Sequence, residues 1–219
     1  MGKRKGVKCG TCGSLERTRV IKVLLDNAGI PKPGSRILHF APERPLYRFL
    51  SSVPNVTYDA CDLAPENYKF GNIRKFDLCA DVMSLESETY DLIIHSHVME
   101  HIPCDVTAVL FHLHRALKPA GVHVVCIPIM PGRYSEDLGV PFGEEATRRF
   151  GQEDHVRLFG VVDIHRTFGM VFKIDENYDM ENYIDSLTLD KYNIPMRERK
   201  GFSGSSVFMF GKDDIRLVS

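Results

Sequence analysis

Two segments of the chain carry residue types that could do chemistry at short range. His97-Val-Met-Glu-His101 sets two imidazoles and a carboxylate within five residues. This H-x-x-E-H pattern matches the inverted zinc-hydrolase signature, which needs both histidines on one helical face and a third ligand. Phe150-Gly-Gln-Glu-Asp-His-Val-Arg157 is the second segment. It offers an acid, a base and a cation within four residues, in Asp154, His155 and Arg157. A histidine titrating near neutrality can take the proton of a hydroxyl, and an arginine can clamp a carboxylate. His155 is therefore the first choice for a general base and His97 the second. Arg133, Tyr134, Arg148, Gln152, Asp154, His155 and Arg157 are the candidate acceptor contacts. Cys9-Gly-Thr-Cys12 has ligand spacing but makes only half of a tetrahedral site, with no partner pair nearby. It reads as a tight turn with two thiols, and no metal ligand set is complete. Cys61, Cys79, Cys104 and Cys126 read as reduced core residues.

These groups need a scaffold, and the apolar pattern supplies one. Residues 15–28 have helical spacing at Val20, Val23, Leu24 and Leu25, and Gly29 stops the helix. Segments 36–40, 56–61, 90–95 and 122–127 read as strands, and 78–82 as a weak one. Pro45 starts a helix over 45–50. Helical spacing over 104–117 ends at Lys118-Pro-Ala-Gly121. Further on, 156–169 reads as a helix or loop–helix and 170–174 as a strand. A helix over 179–191 and a final strand over 206–210 complete the pattern. Strands alternating with helices imply βαβ units: an α/β fold with a mostly parallel sheet and helices on both faces. Ligands of such sheets bind beyond the carboxyl ends of the strands.

That rule singles out the residues after each strand. Asp62 ends the second strand, about 20 residues past the first strand-to-helix turn, where an acid binds the ribose hydroxyls of a nucleotide cofactor. The first turn, Leu38-His-Phe-Ala-Pro-Glu-Arg-Pro45, has no glycine. A dinucleotide fold would carry G-x-G-x-x-G there, so that backbone can approach a pyrophosphate. Glu43 would repel phosphate but tolerate a ligand bearing an amino group.

The order of these parts resembles the class I S-adenosylmethionine (SAM) dependent methyltransferases. Leu38-His-Phe-Ala-Pro-Glu43 is similar to a variant of their first motif. Tyr90-Asp-Leu-Ile-Ile-His-Ser-His-Val-Met-Glu-His101 and Ala116-Leu-Lys-Pro-Ala-Gly121 are the most specific matches. The segments CGTCGSLERTR, from Cys9, and FGQEDHVRLFG, from Phe150, are similar to a bacterial subgroup, some of which accompany glycan or natural-product biosynthesis. The resemblance implies a Rossmann-like seven-stranded sheet whose last strand is antiparallel, closed by 171–174 and 206–210. It implies SAM as cofactor and S-adenosylhomocysteine as product. Asp62, with Leu63, would hold the ribose. Asp81 would meet the adenine amino group, with Val82 giving backbone contacts. His39, Ala41, Pro42 and Glu43 would flank the methionine part, and His95, Ser96 and His97 would floor the sulfonium. The expected reaction is O-methylation of a hydroxyl on a sugar or glycan intermediate, or of a carboxylate on a peptide or small molecule. A non-catalytic binding protein of this fold and a zinc hydrolase using His97, Glu100 and His101 are the alternatives.

Composition bounds these readings. Hydrophobic residues make up 43% of 219, an ordinary globular share that excludes disorder for the bulk of the chain. The formal net charge of −1 disfavours a general nucleic-acid binder. The charge is uneven, with six basic residues against one acid in 1–19. No apolar run reaches membrane-span length, and the charged start has no apolar stretch after it, so neither a span nor a signal peptide is expected. A cytoplasmic enzyme is the expectation. Its organisation would be a basic arm and helix over 1–33 and the methyltransferase domain over 34–219. Oligomeric state is not legible.

Overall fold

The computed structural model describes residues 7–217. Lys3, Arg4 and Lys5 of the basic arm lie outside the described residues. Cys9 to Ser14 fold as a tight turn, with the Cys9 N–H donating to Ser14 O at 2.8 Å. Helix α1 (Glu16–Ala28) comes next and ends at Gly29, whose φ of 63° closes the turn. Strand β1 (Arg36–Phe40) leads into α2 (Arg44–Ser51), which has proline in its first turn. Then come β2 (Thr57–Asp62), the two-residue β3 (Arg74–Lys75) and the short α3 (Leu78–Asp81). Strand β4 (Tyr90–Ser96), α4 (Val106–Arg115) and β5 (Leu117–Cys126) complete the parallel body. The chain continues through β6 (Ile129–Met130), β7 (Ser135–Glu136), α5 (Glu144–Phe150) and β8 (Arg157–Gly160). It ends through α6 (Phe168–Val171), α7 (Ser186–Lys191) and β9 (Val207–Phe210).

Among the described residues the main sheet has six strands in the order β3-β2-β1-β4-β5-β9. Its pairings are parallel up to β5, and β9 runs antiparallel to β5 with Val124 opposite Met209. Side chains alternate between two cores, as strand geometry requires. Leu38, Ile93 and Val125 face α4 and the phenylalanines 168, 172, 208 and 210. Ile37, Leu92 and Val124 face α1 and α2. Val20, Ile21 and Leu25 of α1 are part of that second core. The helix before residue 34 is therefore packed into the same core as the strands after it. Among the described residues no helix is long and apolar enough to cross a membrane.

Several elements differ from the sequence expectation. The main sheet has six strands rather than seven, because 170–174 forms no strand. Phe168–Val171 is a helical turn, and Phe172 reaches only one bridge, to Ile215. Its ring instead stacks on Phe210 at 4.2 Å, so it serves the core as an aromatic plate. The weak strand over 78–82 is helical, because Asp77 caps the turn by accepting the Cys79 N–H. Cys79 and Cys104 are not reduced core residues: they form a disulfide, with Cα atoms 5.8 Å apart, between the starts of α3 and α4. Segment 156–169 opens with a strand, because β8 sits between β6 and β7 in a second, three-stranded sheet.

That small sheet is closely packed at Gly160. A Cβ there would lie 2.3 Å from the Arg133 backbone carbonyl carbon. Gly160→Ala should therefore cost about 1–3 kcal/mol by overpacking against rigid main chain. Thermal unfolding by circular dichroism should show a midpoint lower by several degrees, whereas an unchanged midpoint would contradict the contact.

Candidate active site

The carboxyl ends of β1, β2 and β4 converge because their registers align. Phe40 lies opposite Cys61 on one side and His95 on the other. The chain order turns back at β1 and β4, so the crevice between them is the natural ligand position of an α/β sheet. Both strands leave the sheet through left-handed residues, Ala41 with φ 47° and His97 with φ 56°. Non-glycine residues in this region store strain and cluster at ligand sites. Ala41 adopts the conformation a glycine would otherwise supply, which is how a turn without glycine stays tight.

Beyond this edge lies a cleft of about 350 Å³, whose lining includes Ala41, Asp62, Leu63, Asp77, His97 and His101. The Asp62 carboxylate is held in place. Its Oδ1 accepts the Ala64 N–H at 2.8 Å, and its Oδ2 accepts the Tyr68 hydroxyl at 2.6 Å. Burial, and then Asp62 itself, push the Tyr68 phenol up, so it remains a donor. Leu63 stands beside it, 59% exposed, as an apolar platform.

A larger cavity of about 1200 Å³ opens on the other side of His97, which lines both. Arg17, Arg149, Gln152, His155, Arg157 and Arg197 are in its wall. Four of these are cations with carboxylate partners. Arg17 donates to Glu43 at 2.7 Å, and Arg157 to Glu136 at 2.8 Å. Arg149 pairs with Asp137, and Arg197 with Glu16 and Glu198.

His97 is fixed at both ring nitrogens. Nε2 donates to the Gly204 carbonyl at 2.8 Å, and Nδ1 lies 3.2 Å from Glu100 Oε1, at ion-pair distance but without a directed hydrogen bond. Burial opposes its charge, but contacts with Cys126 and Glu100 outweigh burial and hold its pKa up to about 10. Burial works against the Glu100 carboxylate too, and His97 overcomes it, holding that pKa down. A protonated His97 with both nitrogens engaged is not a base. His155 is buried; burial first, and His101 second, push its pKa down. Its Nδ1 lies 3.3 Å from the Phe150 carbonyl, and Nε2 is sealed from solvent with no hydrogen-bond partner. The base position expected from sequence is thus closed to a substrate in the large cavity.

The remaining site residues divide plainly. Ala41, Asp62, Leu63 and His97, the residues expected at the cofactor, line the cleft, and Asp154, expected at the acceptor, lines it rather than the larger cavity. His39, Pro42, Glu43, Asp81, Val82, His95 and Ser96 do not line it. His39 is buried against Tyr58, with 2.8 Å from Nδ1 to the hydroxyl, and burial pushes its pKa down to about 3. His95 packs on His123 with ring centroids 5.1 Å apart, and burial also lowers it to about 3. Glu43 is turned toward α1, where Arg17 and Thr18 both donate to it. Asp81 is exposed and accepts the Asp77 N–H at 2.9 Å, while Val82 is core. Asp77 lines the cleft, two residues past the end of β3. An acid two residues past a strand end was the available signal, hidden by the shortness of β3.

Of the residues expected at an acceptor, Gln152 and His155 line the large cavity. Arg133 is exposed, and the Tyr134 hydroxyl donates to Glu136 at 2.8 Å. Arg148 pairs with Glu145 on the surface, and its neighbour Arg149 faces the cavity. Arg157 is fully buried and spent. Besides Glu136 it donates to the carbonyls of Met99, Ile102 and Cys104, which binds the turn after β4 to β8. It positions the site rather than meeting an acceptor.

Two contrasts check this geometry. Arg157→Ala strands three carbonyls and a carboxylate, so chemical denaturation should show a loss of at least about 3 kcal/mol. Arg148→Ala, at an exposed pair, should stay within about 0.5 kcal/mol. Ala41→Gly relieves a left-handed residue, so its melting temperature should equal or exceed that of the parent, where Ala→Gly in a regular element costs roughly 0.5–1 kcal/mol. A drop of several degrees would overturn the strain at Ala41.

Comparison with known proteins agrees with this architecture. A family model described as a methyltransferase domain matches residues 17–166. No curated protein matches the chain. An S-adenosylmethionine dependent methyltransferase from Mesorhizobium loti is similar in structure, with 15% identity and a TM-score of 0.50, covering 90% of this chain and 96% of that one. Coclaurine N-methyltransferase, bound to N-methylheliamine and SAH, is similar at 13% identity and a TM-score of 0.50, covering 86% and 58%. Matches to a CurJ carbon methyltransferase and to a putative sarcosine dimethylglycine methyltransferase from Galdieria sulphuraria span 34% and 43% of those chains. With the family match extending over more than half its length, the chain belongs to the methyltransferase-domain family.

Proposed function

We propose that the chain transfers the methyl group of SAM to an oxygen of a polar, uncharged acceptor, with a hydroxyl of a sugar or glycan intermediate as the leading class. The observation that carries this reading is the pair of cavities meeting at His97. The cleft suits the nucleoside: Asp62 accepts from the ribose hydroxyls, Leu63 lies against the adenine, and Asp77 stands at its edge. The methionine part then lies in the crevice between Ala41 and His97. That directs the sulfonium toward the large cavity, where the acceptor oxygen attacks in line. The methyl carbon passes to oxygen, the C–S bond breaks to leave the thioether of S-adenosylhomocysteine, and the hydroxyl proton is given up to water in the open cavity. Alignment of acceptor and sulfonium does the main work.

The paired arginines support the acceptor class. An anionic carboxylate would need a free guanidinium to offset its desolvation. In this wall Arg17, Arg149, Arg157 and Arg197 each have a carboxylate partner, and Lys8, the further cation of the lining, is exposed to water. A hydroxylated acceptor can exchange hydrogen bonds with both members of such pairs.

Calorimetry with SAM and S-adenosylhomocysteine tests the cofactor half. Saturable binding of both is expected, and no binding by folded protein would sink it. Asp62→Asn should weaken binding by roughly 10- to 100-fold, the worth of a hydrogen bond to a charged group, while leaving the fold intact. Unchanged affinity would remove Asp62 from the ribose. Production of S-adenosylhomocysteine with hydroxylated glycans, compared with carboxylate peptides, tests the acceptor half.

A further inference from the structure

Glu100, His101 and His155 form a cluster that methyl transfer leaves unused. One ligand atom from each lies within 4.8 Å of the other two. Glu100 is fully buried, and neither carboxylate oxygen accepts a directed hydrogen bond. The ion pair with His97 engages Oε1 alone. Buried polar atoms without partners are rare and call for an explanation.

The two histidines are oriented as metal ligands are. His101 Nδ1 lies 3.2 Å from Asp154 Oδ2, which turns Nε2 to within 4.0 Å of Glu100. His155 Nδ1 lies 3.3 Å from the Phe150 carbonyl, leaving Nε2 as a buried lone pair. A carboxylate or backbone carbonyl on the far ring nitrogen is the usual outer-shell arrangement of a metal-bound histidine. The rings meet edge to face at 4.5 Å. Bonds of about 2.0–2.2 Å to a metal would require the donors to draw in by roughly an ångström, which side-chain rotation supplies.

We propose that Glu100, His101 and His155 bind one divalent first-row transition metal ion, with zinc as the probe. Two imidazoles and one carboxylate match the ligand preference of such ions, and three protein ligands leave a coordination position open. The H-x-x-E-H segment contributes its last two residues, and His155 replaces His97 as the third ligand. The site lies in the wall between the two cavities, since His101 lines the cleft and His155 the acceptor cavity. An ion there would pin the loop before β8 to the turn after β4.

Cys9 is the competing zinc ligand, because the Cys12 backbone amide holds its thiol down to about 7. The test therefore uses the full chain carrying Cys9→Ser and Cys12→Ser, without cofactor, so that its outcome is independent of methyl transfer. Zinc titration by calorimetry, with metal analysis after desalting, should give one ion per chain and a melting temperature raised by several degrees. His101→Gln and His155→Gln, each checked for folding by circular dichroism, should each weaken binding at least tenfold. Cobalt(II) in the double serine chain should show visible d–d bands without thiolate charge transfer, a readout that needs no further variant. Absence of zinc binding by the double serine chain, or full affinity retained by either histidine variant, overturns the proposal.

Discussion

The site depends on one buried cation. Arg157 is fully enclosed, and its guanidinium is divided among three carbonyls of the turn after β4 and one carboxylate on β7. A guanidinium suits this task because its five donors form a rigid fork, which a lysine cannot reproduce. The turn it holds contains His97, Glu100 and His101. The strand it comes from is the middle of the small sheet that walls the larger cavity. Both cavities are therefore referenced to one side chain. The charge tolerates burial because four of its N–H groups meet oxygen.

The second constraint is strain, located where the ligand would enter. Ala41 and His97 are left-handed residues at the ends of neighbouring strands. Each is held from outside the turn. The Ala41 N–H donates to Cys61 O at 3.0 Å, and the His97 N–H to Cys126 O at 2.9 Å, so the sheet itself fixes both bends. Helix α1 adds a third tie through Glu43, which starts α2 and is gripped by Arg17 and Thr18. The segment that precedes the first strand thus shapes the first turn, which explains how that turn dispenses with glycine.

Legibility tracks the range of the interactions. Elements β1, β4, α4 and β5 can be read because continuous apolar strands and helical spacing are local signals, and β2 because it ends on a buried Ala60-Cys61 pair before an acid. Asp62 and Leu63 can be placed because a strand end defines their position. The side chain of Glu43 cannot, since its partners lie 25 and 26 residues earlier. Asp81 is easily taken for Asp77 because β3 has two residues and no apolar signature. His39 and His95 look chemical in sequence, yet both are buried aromatic spacers whose charge burial suppresses. Arg157 reads as an acceptor clamp until the carbonyls of 99, 102 and 104 surround it, contacts that span more than 50 residues.

The charge balance of the chain acquires a local meaning from these contacts. A formal total of −1 describes an average, and the wall of the larger cavity repeats that balance at the scale of single pairs. Arg17 with Glu43, Arg149 with Asp137 and Arg197 with Glu16 set a cation beside an anion around one space. Such a wall has little net field to draw an ion in, but a dense alternation of donors and acceptors. An anion binding at these arginines must displace a carboxylate, whereas a polyhydroxyl must only insert between the partners. An unpaired charge costs several times more to bury than a hydroxyl that keeps its hydrogen bonds, so the paired wall disfavours a bare anion against a neutral polar group.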